Sequence, residues 1–101
     1  MKPHIFHPDA DEEYVHAVQY YAGVALELGN RFHDEIERLI REVCSEPERF
    51  CKFDPPARRH FSRDFPYAVI FLDKPDSIWI VAVMHMKRSP GYWRERLDVT
   101  R

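Results

Sequence analysis

Two apolar runs in the second half of the chain most constrain its fold. "YAVIFLD" covers residues 67–73, "SIWIVAVMHM" covers residues 77–86, and the short segment "DKPDS" joins them. Both faces of each run are apolar, which is typical of strands buried in the centre of a sheet. The joining segment is rich in turn-forming residues. The sequence therefore predicts a central β-hairpin with apolar side chains on both faces.

The first half of the chain predicts a short strand followed by two helices. "HIFH" is the strand candidate, and "HPDADEEY" begins a helix, with Pro8 in its first turn and Asp9 and Glu12 in position for a capping box. We expect Gly29-Asn30 to end the first helix and to begin the second. Two helices joined by so short a turn form an αα-hairpin.

The second predicted helix is amphipathic. Its charged residues are spaced as i,i+4 pairs, which places them on an outer face that we expect to be solvated. The pairs are Arg31 with Glu35, Glu37 with Arg41, and Arg38 with Glu42, and the apolar stripe consists of Phe32, Ile36, Leu39, Ile40 and Val43.

A third strand is predicted before the hairpin. The proline-rich segment "SEPERFCKFDPPA" is expected to be an irregular connection. "RRHFSRDF" at 58–65 follows it and has one wholly polar face, which should lie in solvent or on a ligand. The predicted class is α+β: a small antiparallel sheet with the N-terminal αα-hairpin packed on one face, in the order β-α-α-β-β-β. The other face of the sheet would form a shallow groove.

Length and composition bound the function. The chain has 101 residues, which predicts a single domain over 1–101, and 32% of them are charged. No segment is typical of a signal peptide or long enough to cross a membrane, so we expect a cytoplasmic protein. Cys44 and Cys51 do not have a zinc or redox spacing, and the six histidines form no HxxxH or HExxH pair. We therefore expect no metal and no cofactor.

Charge is distributed unevenly along the chain. Residues 1–50 hold 5 Lys/Arg against 11 Asp/Glu, a charge of −6, whereas residues 51–101 hold 10 against 6, a charge of +4. The basic second half hints at an anionic partner. The sequence pI near 6.3 argues against a strong nucleic-acid binder, whose pI usually exceeds about 9.

Four stretches together resemble the RelE/ParE family of bacterial toxins from type II toxin–antitoxin modules. They are "HPDADEEY", "YYAGVALELGNRF", "RRHFSRDFPYAVIF" and "AVMHMKRSPGYWRER", and the resemblance extends over roughly residues 5–97. It implies a growth-inhibiting toxin of the plasmid-stabilisation type, bound and held inactive by a cognate antitoxin. The resemblance leaves the oligomeric state open, with a homodimer or a heterotetramer with the antitoxin as the alternatives.

The resemblance implies one of two mechanisms. RelE-like members cleave messenger RNA on the ribosome, and ParE-like members inhibit DNA gyrase without a known hydrolytic step of their own. In RelE-like nucleases an arginine and a following tyrosine near these positions contribute to catalysis, which suggests Arg88 and Tyr92 here. Some relatives also use a histidine near His85.

RNA cleavage, the leading hypothesis, would make the chain a metal-independent endoribonuclease. It needs a base for the 2′-OH, cations for the phosphate and an acid for the leaving oxygen. His85 could move a proton near neutral pH, and Arg88 could hold phosphate. Tyr92 could donate a proton or stack on a base. Further RNA- or partner-binding candidates are Arg59, Arg63, Lys87, Trp93 and Arg94.

Two alternatives to cleavage remain open. A gyrase contact needs a complementary surface and no proton relay, and Tyr92, Trp93 and Arg94 would then anchor an interface. In a weakly active toxin that acts mainly as antitoxin partner, His85 would be a hydrogen-bonded strand histidine, and Lys87 and Arg88 would be ordinary strand-end charges. Tyr92 and Trp93 would then pack across the helices as part of the core.

Overall fold

The chain folds into two helices packed on one face of a five-stranded sheet. The computed structural model describes residues 1–97. The sheet order is β1-β5-β4-β3-β2, and the predicted α+β class with a helical hairpin on the sheet is confirmed. The elements are β1 (His4–Phe6), α1 (Pro8–Val24), α2 (Leu26–Ser45), β2 (Lys52–Asp54), β3 (Ala57–Phe61), β4 (Tyr67–Asp73) and β5 (Ile78–His85), with short 3-10 helices at Pro47–Arg49 and Arg94–Leu97.

The sheet is mixed rather than wholly antiparallel. β1 pairs in parallel with β5, with Ile5 opposite Trp79, whereas β2, β3, β4 and β5 pair antiparallel in succession. The three residues of β1 contain no pattern from which a parallel or antiparallel pairing could be predicted. The direction of β1 depends instead on the two-helix connection that follows it. The segment expected to be irregular contributes β2, an edge strand, and β3 ends four residues earlier than predicted.

The two helices meet at Ala25, not at Gly29-Asn30. Ala25 has extended backbone angles (φ −159°, ψ 136°), which end α1 and begin α2. Gly29 lies inside α2, where a Cβ would come within 2.7 Å of the Ala22 Cβ. The glycine is therefore a point of close helix–helix approach rather than a helix end. The N-cap of α1 is His7, whose Nδ1 accepts the Asp9 N–H at 3.0 Å.

An aromatic cluster holds the helical hairpin on the sheet. The fully buried Phe32 ring lies 4.9–5.1 Å from the ring centroids of Tyr21, Phe65 and Tyr67. These partners come from α1, from the loop before β4 and from β4 itself. Aromatic pairs at such separations add to the free energy of area burial. Phe32 therefore joins three parts of the chain at one end of the core.

The polar face of β3 packs on helix α2 and does not lie in solvent. His60 Nε2 is 2.7 Å from Glu42 Oε1, and the Ser62 hydroxyl donates to Glu35 Oε2 at 2.6 Å. Arg38 donates to both carboxylates, to Glu35 at 2.8 and 3.0 Å and to Glu42 at 2.9 Å. The prediction that Glu35 lies on the solvated outer face was wrong, because its side chain is only 7% exposed and joins α2 to the loop that follows β3.

A β-bulge in β5 decides which face its last residues occupy. Ile70 pairs with Ala82 but Phe71 pairs with Ile80, so Val81 is an extra residue on β5. Val81 and Ala82 both pack on the helix-free face, and Val83 returns to the helical side. Bulges re-aim side chains in this way. His85 consequently lies on the helical side of the sheet.

The helix-free face is largely covered rather than an open groove. A second core cluster packs there, and it includes Ile70, Val81, Met84 and Trp93, with Phe53, Tyr92 and Leu97 against it. The residues after β5 turn at Gly91, whose positive φ of 75° suits glycine. The segment 92–97 then runs back over the sheet. The strands β4 and β5 are accordingly buried from both sides, as their apolar pattern predicts.

Candidate functional site

The end of β5 places His85 and Arg88 beside helix α1. The Lys87 N–H donates to His85 Nδ1 at 3.0 Å, and the Arg88 N–H donates to the His85 carbonyl at 3.0 Å. The His85 ring packs edge-on against Tyr67 at 5.0 Å. This tight turn ends the strand and brings both side chains to one pocket of about 230 Å³. The residues lining it are Glu13, His16, Ala17, Tyr20, Tyr67, Val83, His85 and Arg88.

Tyr92 donates its phenolic hydrogen to a carboxylate of helix α1. Its hydroxyl lies 2.7 Å from Glu13 Oε2. Burial, together with the hydrogen bond to Glu13, raises the pKa of Tyr92 above its ordinary value. The guanidinium carbon of Arg88 lies 3.8 Å from the centroid of the Tyr92 ring. The hydroxyl of Tyr92 is therefore fixed by Glu13, and its ring is in contact with Arg88.

Glu13 is the centre of a network that fastens the C-terminal segment to α1. Arg96 donates to both of its oxygens, at 2.9 and 3.0 Å, and the Val83 N–H donates to Oε1 at 3.1 Å. Bidentate arginine–carboxylate pairs are among the stronger polar contacts in proteins. Arg88 approaches the same carboxylate only to 3.9 Å. The network joins α1, β5 and the segment after Gly91.

Sequence reasoning missed Glu13 and Arg96. One signal for Glu13 is its spacing, since it follows Ala10 by three residues and precedes Ala17 by four, and both alanines are buried. A carboxylate at these positions lies on the flank of the apolar face and needs a partner. Arg96 offers no such signal, because its place depends on how the C-terminal segment folds back. His16, Tyr20 and Tyr67 were also missed as pocket residues.

Trp93 is a core residue. Its side chain is 1% exposed, and its ring lies 5.5 Å from that of Phe53. Its burial agrees with the core alternative that the sequence left open, but the ring packs on the helix-free face of the sheet and not across the helices. The tryptophan therefore covers the helix-free face of β4 and β5 instead of standing out at the surface.

Three arginines from the sequence prediction line one groove on the helix-free face. Arg59, Arg88 and Arg94 surround a groove of about 400 Å³ together with Met84 and Met86. The Arg59 guanidinium carbon lies 4.4 Å from the Phe53 ring centroid and 4.8 Å from that of Phe61. Arg94 Nε donates to Asp54 Oδ2 at 2.6 Å. Arg94 is thus neutralised locally, whereas Arg59 is held by aromatic rings alone in the described contacts.

The remaining candidates stand apart from both cavities. Arg63 is exposed in the loop after β3, where its backbone N–H donates to Glu35 Oε2 at 3.2 Å. Lys87 is exposed in the turn after β5. Neither side chain lines the pocket or the groove. The structure therefore brings His85 and Arg88 together on the helical side, and Arg59, Arg88 and Arg94 on the other, with Arg88 at the boundary. Tyr92 lines neither cavity: its ring packs on the helix-free cluster and under Arg88, and its hydroxyl reaches Glu13.

Within residues 1–97, no three His, Cys, Asp or Glu side chains are grouped closely enough to hold a metal ion. Over the same residues no helix has the length and apolar character needed to span a bilayer.

Comparisons with known proteins identify a family for the chain. A family model described as the ParE toxin of the type II toxin–antitoxin system, parDE, matches residues 5–90. Among solved structures, a chain from the chromosomal ParDE TA system of P. aeruginosa shares the fold, with a TM-score of 0.74 at 13% sequence identity. That match covers 86% of this chain and 98% of the other. No curated protein matches.

The family match extends over most of the chain, from β1 to Pro90, and includes both His85 and Arg88. The predicted resemblance to the RelE/ParE toxins is confirmed on its ParE side. The chain is a member of the ParE toxin family of type II toxin–antitoxin systems.

Proposed function

We propose that the chain inhibits growth by binding DNA gyrase, and that it does so as a stoichiometric inhibitor without cutting RNA. A second protein, its antitoxin, holds it inactive. Membership in the ParE family supports the toxin role and the antitoxin partner. The choice of mechanism rests on the hydrogen bond from Tyr92 to Glu13, and the division of the polar residues between two faces of the sheet supports it.

RNA cleavage needs a base, an acid and phosphate-binding cations around one phosphate. Here His85 lies in the pocket beside α1, whereas Arg59 lies in the groove on the opposite face. The phenol that would serve as the acid already donates to Glu13. This commitment of Tyr92 to Glu13 is the observation that carries the proposal, because it leaves the leaving oxygen without its expected proton donor.

Charge also favours a protein target. RNA binding depends strongly on the number of phosphates that Lys and Arg neutralise. The chain has a formal net charge of −2, and several of its arginines are paired with carboxylates, among them Arg38, Arg94 and Arg96. A protein interface does not require a net positive charge.

The test follows DNA synthesis and protein synthesis in parallel. After induction of the chain alone, incorporation of labelled nucleotide and labelled amino acid is measured, and supercoiling by purified DNA gyrase is assayed with the purified chain. We expect DNA synthesis to stop first and supercoiling to be inhibited at near-equimolar chain. Rapid loss of protein synthesis with cleaved messenger, and unimpaired gyrase, would refute the mechanism.

The antitoxin part of the proposal has its own test. The chain is co-expressed with the protein encoded beside it, and growth and co-purification are followed. Relief of growth inhibition with a stable complex is expected. Failure of both would contradict the toxin–antitoxin pairing while leaving the gyrase assay interpretable.

A further inference from the structure

Helix α1 carries an exposed stripe that no part of the described chain covers. His16, Tyr20 and Val24 are spaced i, i+4 and i+8, which places them on one side of the helix. Tyr20 is 67% and Val24 65% exposed, and Leu26, at the start of α2, is 73% exposed. Single exposed apolar residues are ordinary, but a cluster at one end of a helical hairpin marks an interaction surface.

The N-terminal end of this stripe adjoins the donor-rich pocket of His85 and Arg88. His16 and Tyr20 line that pocket together with Tyr67. Burial is the largest cause that raises the pKa of Tyr67, so its phenol stays a hydrogen-bond donor at neutral pH. The Arg88 guanidinium is supported by the Tyr92 ring, and its only described carboxylate contact is the 3.9 Å approach to Glu13.

Glu13 does not make the pocket anionic. Its two oxygens already accept hydrogen bonds from Tyr92, from Arg96 and from the Val83 N–H. The charge of the carboxylate is therefore balanced by Arg96 beneath the pocket. What the pocket presents to solvent is a guanidinium, two imidazoles and two phenols, a set suited to bind an oxyanion.

We propose that this surface is where the chain holds its target protein. It consists of His16, Tyr20 and Val24 on α1 with His85 and Arg88 at the end of β5, and we call it the α1 surface. It takes a target segment that places a carboxylate side chain in the pocket, against Arg88. The segment's neighbouring apolar side chains pack on Tyr20 and Val24. The proposal deepens the proposed function, since it assigns the interface of that inhibition.

The surroundings of the α1 surface favour a protein over a nucleic acid. Residues 1–50 carry a charge of −6, and Asp9, Asp11 and Glu12 are in the first turns of the same helix. These carboxylates repel a phosphate backbone, which carries a negative charge at every nucleotide, more strongly than a segment with a single carboxylate. The exposed Val24 side chain cannot hydrogen-bond to a phosphate, but it can pack against an apolar side chain. A target segment with a carboxylate flanked by apolar residues therefore fits both the pocket at Arg88 and the apolar side chains of Tyr20 and Val24.

The experiment compares variants of the α1 surface with matched variants outside it. Val24→Asp is paired with Val15→Asp, because Val15 is 45% exposed but on the other side of α1. Arg88→Glu is paired with Arg41→Glu, an exposed cation on α2. Each variant is checked for thermal unfolding, for binding to immobilised DNA gyrase, for growth inhibition and for co-purification with the antitoxin.

We expect Val24→Asp and Arg88→Glu to weaken gyrase binding by at least about tenfold, the usual effect of removing one interface anchor. Growth inhibition should fall in parallel, while antitoxin binding and unfolding temperature match those of the controls. Val15→Asp and Arg41→Glu should inhibit growth like the original chain.

Three outcomes would overturn the assignment. Growth inhibition equal in surface and control variants would show that the α1 surface does not hold the target. Loss of antitoxin binding in the surface variants alone would assign the surface to the antitoxin instead. If the two surface variants unfold, Tyr20→Ala and His16→Ala replace them, and unchanged inhibition by both would contradict the proposal. A chain that inhibits growth through the α1 surface but does not bind gyrase would refute only the target named under the proposed function.

Discussion

The carboxylate of Glu13 and the phenol of Tyr92 are hydrogen-bonded at 2.7 Å although 79 residues separate them along the chain. This contact, with the bidentate pair between Glu13 and Arg96, closes the C-terminal segment onto helix α1. The segment in turn carries Trp93 into the core on the helix-free face. One side chain of α1 therefore helps to hold both layers of the fold together.

Glu13→Gln should destabilise the chain by about 2–3 kcal/mol, because the substitution removes the bidentate charge partner of the largely buried Arg96 and leaves only Asp9, whose Oδ2 is 3.8 Å from Arg96 Nε. The measurement is urea denaturation followed by tryptophan fluorescence, which reports on Trp79 and Trp93 together. Glu12→Gln is the matched control, since Glu12 is the exposed neighbour and should change stability by less than about 0.5 kcal/mol. Equal effects of the two substitutions would contradict the network.

The two helical glycines should respond in opposite directions to alanine. At Gly29 the new Cβ would come within 2.7–2.9 Å of Ala22, so Gly29→Ala should destabilise by about 1–3 kcal/mol despite the better helix propensity of alanine. Nothing lies within 4 Å of a Cβ at Gly23, so Gly23→Ala should stabilise by up to about 1 kcal/mol. Thermal unfolding of both variants checks the pair, and a stabilised Gly29→Ala would contradict the close helix contact.

Acid should destabilise the chain through Glu35. Hydrogen bonds from Arg38, then from Ser62 and the Arg63 backbone, lower the pKa of Glu35 from 4.5 to about 2 despite its burial. A carboxylate whose pKa is depressed by folding stabilises the fold above its unfolded pKa. That stabilisation, about 3 kcal/mol, should be lost as the pH falls from about 4.5 towards about 2.

Chemical denaturation at a series of pH values between 2 and 7 checks this dependence. Glu42 should add to it in the same direction, because the hydrogen bond from His60 lowers the pKa of Glu42. In Glu35→Gln the stability profile should be flatter over the acid range, whereas the exposed control Glu48→Gln should keep the original profile. A profile unchanged by Glu35→Gln would show that the carboxylate does not carry the effect.

Tyr92→Phe separates a structural phenol from a catalytic one. The variant keeps the ring beneath Arg88 and loses only the hydrogen bond to Glu13, so stability should fall by about 1 kcal/mol and growth inhibition should persist. A proton-donating role would instead cost about 10²- to 10⁴-fold in cleavage rate. Tyr14→Phe is the matched control, because its hydroxyl also donates to a glutamate, Glu37, at 2.8 Å. Loss of toxicity in Tyr92→Phe alone would favour catalysis.

The helices and strands with a clear apolar pattern could be predicted from the sequence. The residues at which these elements begin and end could not. The apolar runs of β4 and β5 correctly predicted central strands, since both faces are buried. The helix join was misplaced because Gly29-Asn30 has the composition of a helix end, whereas Ala25 has no local signal at all. Only the packing of Gly29 on Ala22 explains why a glycine is tolerated inside α2.

The candidate site was predictable by residue type but not by geometry. The alternation of a strand correctly predicted that Met84 and His85 lie on opposite faces of the sheet. It did not predict which face each of them occupies. The polar face of β3 was visible in the sequence, yet its partners, Glu35 and Glu42, come from a helix whose contacts depend on the tertiary fold. Glu13 and Arg96 are 83 residues apart, and no short-range pattern connects them.

The extra residue at Val81 has a consequence for comparing relatives. A strand of the same sequence that paired regularly, without the bulge, would present the residues from Ala82 onward to the opposite side of the sheet, with His85 on the helix-free face and Met84 facing α1. Two relatives can therefore share the letters of this segment while offering different chemistry to their partners. Aligned columns are comparable here only when the strand pairing beside Ile70 is also the same.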